Sequence, residues 1–62
     1  MMKGFIEIIR KGNASPDLVA VDFIAIINPL DDGSAVFFKS LNREDYQESY
    51  NEVKALIAEA QK

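Results

Sequence analysis

The sequence predicts an α+β fold in which residues 1–62 form one β-β-β-α domain: a three- or four-stranded antiparallel β-meander, then a C-terminal α-helix packed on one sheet face. Three observations carry this. Apolar and β-branched residues alternate through the first two-thirds of the chain, the period of a strand. An Asp-Gly pair divides two apolar runs, a hairpin signal because a type I′ turn needs positive φ at both central positions. Near the C-terminus apolar residues recur at helical spacing.

The first strand is "KGFIEIIR" (3–10), with Phe5, Glu7 and Ile9 on one face and Ile6 and Ile8 on the other. "KGNASPD" (11–17) is a turn cluster in which Gly12 supplies positive φ and Pro16 pushes Ser15 towards extended geometry. "LVAVDFIAIINP" (18–29) is the second strand, apolar on both faces and interrupted only by Asp22. Twelve residues exceed the usual strand length, so Asp22 marks a candidate bulge or kink dividing the run. Asp32-Gly33 is the candidate turn, and "SAVFFKS" (34–40) returns as the third strand.

Two starts compete for the helix. Asn42 as N-cap, with Asp45 at N3, gives an unbroken stripe of Tyr46, Tyr50, Val53, Ile57 and Ala60, and that continuity favours a start near Arg43. Alternatively Ser49 and Glu52 form a capping box, leaving "EDYQE" as a short fourth strand. In both, the carboxylates of residues 43–52 serve helix initiation.

A 62-residue chain folds to roughly 4,000 Å² of surface from about 10,000 Å² unfolded, so its core is marginal. There is no cysteine and no histidine, which removes disulfides and the usual ligands of zinc, copper and haem. No cofactor and no metal is expected. Asp31 and Asp32 lack the spacing of a calcium loop and read as a solvated turn. The serines stand in no G-x-S-x-G or S-x-x-K frame, so no catalytic residue is assigned and the chain is expected not to be an enzyme. No signal-peptide pattern and no apolar run of about 20 residues occurs, and the expected address is the cytoplasm.

Apolar residues on two faces exceed what one helix covers. Ile6, Ile8, Ile24, Ile26, Val36 and Phe38 form one set; Phe5, Ile9, Val21, Phe23, Ile27 and Phe37 form the other. An uncovered set of this kind marks an interface, so the first set is the candidate interface of a homo-oligomer, a two-fold dimer as the first expectation. The alternative is a nucleic-acid-binding accessory protein using a basic edge of Lys3, Arg10, Lys11 and Arg43. A net charge of -3 weighs against it, because such affinity rests on cations neutralising phosphates.

The order "FIEIIRKG", "LVAVDFIAIINP", a D/G hairpin into "AVFFKS", and a closing "ESYNEVKALI" resembles the short FlbD-type proteins of flagellar and swarming motility and similar small bacterial and phage proteins. The resemblance implies a small cytoplasmic accessory or regulatory protein; the uncovered apolar residues point to a homo-oligomeric protein-interaction or regulatory module. It carries no catalytic or binding residue to these positions.

Overall fold

A computed structural model describes residues 3–62. The chain runs β1 (Phe5–Ile8), β2 (Asp17–Ala20), a 3-10 turn (Val21–Phe23), β3 (Ile24–Leu30), β4 (Gly33–Phe38), β5 (Arg43–Tyr46) and α1 (Tyr50–Ala60). All pairings are antiparallel, and the fold is α+β. β1 and β2 form one sheet; β3, β4 and β5 form the other. The sheets are joined where the chain after β1 reaches β5. Arg10 bridges Tyr46, Lys11 N donates to Asp45 O and Gln47 N donates to Ile9 O.

The long second strand of the sequence reading is therefore two strands, parted at Asp22 by the 3-10 turn. Extended, its twelve residues would reach about 40 Å, whereas the longest dimension of the molecule is 28 Å. The break turns the chain from its pairing with β1 to its pairing with β4. A bulge at Ala25 follows, since Ile24 faces Phe38 and Ile26 faces Phe37. One extra residue reverses which side chains face inward. Ile24 and Ile27 accordingly pack on the core, and Ile26 turns outward.

The core comprises Ile6, Ile8, Val19, Val21, Val36, Tyr46, Val53 and Ala60, with Leu56 and Ile57 of the helix packed against it. The helix closes over β1, and Gly4 N donates to the terminal carbonyl of Ala60 at 2.9 Å. One expectation about turns is corrected. The β3–β4 hairpin is centred on Asp31 and Asp32, and Gly33 is the first residue of β4. Glycine is required there by space, because a Cβ at Gly33 would fall on the carbonyl oxygen of Tyr46.

The helix begins at Tyr50, not near Arg43. Ser49 Oγ accepts from Glu52 N at 3.1 Å and Glu52 Oε1 accepts from Ser49 N at 2.9 Å, both halves of a capping box. Residues 43–46 instead form β5, where pairing with β4 and burial of Tyr46 override the helical period. The carboxylates once grouped together then separate by task. Asp45 pairs with Arg43, Glu48 accepts from Ile9 N at 2.9 Å, and Glu52 caps. Glu44 faces a cleft.

Candidate functional site

Between the outer edge of β2 and the inward face of the β4–β5 hairpin lies an open cleft of about 520 Å³. Its presence follows from the bend at Asp22. Among the described residues β2 pairs only with β1, so the edge Asp17–Ala20 runs along one wall. Phe38, Glu44 and Tyr46 share one face of β4 and β5 and form the other wall.

One end of the cleft is apolar. The rings of Phe23 and Phe38 stack with centroids 5.7 Å apart, and Leu18 and Phe23 remain 54% and 47% exposed. At the other end, Arg10 Nε lies 2.8 Å from Asp17 Oδ2, out of line for a hydrogen bond, and Arg10 Nη1 lies 4.0 Å from Glu44 Oε1. The Tyr46 hydroxyl donates to Asp17 Oδ2 at 3.1 Å. Burial first, and the bond to Asp17 second, push the Tyr46 phenol up to about 12. It stays protonated across the physiological range.

Leu41 stands in the β4–β5 connection between Ser40 and Asn42, which line the cleft. The β4–β5 connection is a tight hairpin in which Leu41 N donates to Phe38 O and Phe38 N donates to Asn42 O. Its third residue takes the left-handed conformation that usually selects glycine. Here it is Leu41, at φ 72, 93% exposed and the only non-glycine residue with positive φ among the described residues. An exposed aliphatic side chain in strained backbone has no benefit to the isolated fold.

The structure redistributes the six residues of the candidate interface. Ile6, Ile8 and Val36 are interior, and Ile24 and Phe38 are partly buried against the core. They are occupied by the chain's own packing and do not form one open face. Ile26 alone of the six is largely exposed, at 56%, because the bulge placed it beside Phe37 on the outer face of the sheet. The four cations of the basic edge are not assembled into a free patch either. Arg10 pairs with Asp17, Lys11 with Asp32, and Arg43 with Asp45, while Lys3 is exposed on the turn before β1. Lys11 also holds the Asp32 carboxyl below its usual range.

The sequence reading did not bring together Asp17, Leu18 and Glu44, which line the cleft, and did not single out the left-handed backbone of Leu41. Only Leu41 carried a local signal, an aliphatic residue within the turn-like "KSLN". Among the described residues no helix is long and apolar enough to cross a membrane. Comparison with protein-family models, curated proteins and solved structures finds no match to this chain.

Proposed function

We propose that this chain is a small, non-enzymatic, homo-oligomeric protein-interaction or regulatory module of the cytoplasm, engaging a protein partner through the edge of β2 and the cleft beside it. One observation carries the reading: an unpaired strand edge runs alongside an open cleft with exposed Leu18 and Phe23. Edge N–H and C=O groups accept a partner strand, and neighbouring apolar side chains add affinity. The sequence has no histidine or cysteine, the commonest general base and the thiol nucleophile. The resemblance to the FlbD-type proteins points the same way. Carboxylate partners on Arg10, Lys11 and Arg43 weigh against the nucleic-acid alternative.

Self-association is assigned to the outer face of β3 and β4, around Ile26 and Phe37. A core this small gains stability from a second copy, and Ile26 is the exposed aliphatic of that face. Sedimentation equilibrium at high micromolar concentration tests it. The wild type should exceed 6.9 kDa and Ile26→Lys should return to it. A wild type that holds at 6.9 kDa overturns the homo-oligomer.

A further inference from the structure

We infer that the cleft takes an extended peptide segment, added as a strand to the edge of β2, carrying a Lys or Arg two residues away from an apolar side chain. This rests on the interaction-module reading and names its ligand class.

The backbone sets the geometry. Val21 N donates to Gly4 O at 2.9 Å, and the register opposes Ile6 to Val19 and Ile8 to Asp17. Hydrogen-bonded and non-hydrogen-bonded pairs alternate along an antiparallel ladder, so these pairs hold the β1 bonds. The N–H and C=O groups of Leu18 and the N–H of Ala20 then point away from β1, along the cleft, while the Ala20 carbonyl caps the 3-10 turn at Val21–Phe23. An added strand can satisfy these three.

Side-chain alternation sets the chemistry. Val19 is buried in the core, and Asp17 two residues earlier reaches Tyr46 on the same side of β2. In an added strand, the residues opposite Asp17 and Val19 point to this side as well, into the cleft. The one opposite Asp17 meets two carboxylates, Asp17 and Glu44, against the single guanidinium of Arg10, which leaves one negative charge uncompensated. Arg10 already engages Asp17 at 2.8 Å and reaches Glu44 only at 4.0 Å, so Glu44 has acceptor capacity to spare. A cation fits there. The residue opposite Val19 faces the end lined by Phe23 and Phe38, and an apolar side chain fits. A spacing of two holds for either direction of the added strand.

The test uses the full chain and fluorescein-labelled heptapeptides followed by anisotropy. The probe is Thr-Val-Thr-Lys-Thr-Val-Thr, symmetric about its lysine; one control replaces Lys with Glu, and a second is N-methylated at every residue, which removes the amide donors facing β2 in either strand direction. The lysine peptide should bind at least about tenfold more tightly than the glutamate peptide, since like charges meet in the latter. N-methylation should abolish binding, and Glu44→Gln should shrink the lysine–glutamate discrimination while leaving the melting temperature unchanged. Equal binding of all three peptides, or no binding of the lysine peptide, overturns the inference. Self-association is read separately by sedimentation, so a failed peptide test with a sedimenting dimer leaves the module reading standing.

Discussion

The side of the molecule sealed by α1 and the side opened by the cleft use similar residues to opposite ends. Under the helix, Ile6, Ile8 and Val53 are buried, and the Gly4 amide meets the last helical carbonyl. Along the cleft, Leu18 and Phe23 stand about half exposed, the outward groups of β2 lack a neighbouring strand, and Leu41 holds a left-handed backbone in solvent. The sealed side is organised for stability. The open side tolerates costs that stability alone would have removed, and such departures concentrate where a protein binds something.

The comparison breaks first if truncations on the two sides cost the same. Ile8→Ala should lose about 2–5 kcal/mol through transfer and cavity terms, enough to unfold a domain whose total is about 3–9 kcal/mol. Ile8→Val, expected to lose about 0.5–1.5 kcal/mol, keeps the measurement possible. Leu18→Ala should change stability by less than about 0.5 kcal/mol. Urea midpoints report all three, and a Leu18→Ala loss equal to that of Ile8→Val would show that the cleft wall belongs to the core.

Why the sequence revealed one side better than the other follows from the range of the interactions involved. The sealed side is built from local patterns: alternation in "FIEII", the S-x-x-E capping box, and Val53, Leu56, Ile57 and Ala60 at helical spacing. The cleft comes from partners far apart in the chain, such as Tyr46 with Asp17 and Arg10 with Glu44. Register decided it too. The bulge at Ala25 moved Ile26 off the face it was expected to share with Ile24 and Val36 and brought Ile27 onto that face, an inversion that no period-2 reading sees. For Tyr46 the helical stripe misled, because spacing from Tyr50 matched while pairing with β4 won.

A second, smaller test concerns Leu41. Glycine adopts its conformation without the Cβ conflict, so Leu41→Gly should raise stability by about 1 kcal/mol, read as a higher urea midpoint. A gain of this kind identifies a residue kept for a purpose other than folding. A loss would mean that the Leu41 side chain contributes packing to the fold itself.

The last test lies where the two sides meet, at Tyr46, whose ring is in the core and whose hydroxyl reaches Asp17 at the cleft. Tyr46→Phe removes one hydrogen bond and leaves Asp17 with Arg10, so the loss at neutral pH should be about 0.5–1.5 kcal/mol. The pH dependence is more telling. The folded-state pKa, about 12, stands above the unfolded value of about 10. Stability from the protonated phenol is therefore fully present below about pH 10 and is lost as pH rises through about 12. The difference between wild type and Tyr46→Phe isolates the tyrosine. That difference should narrow and then reverse with rising pH, because the variant keeps its buried ring and has no phenol to ionise. A difference independent of pH would place the hydroxyl in solvent and detach Tyr46 from the polar end of the cleft.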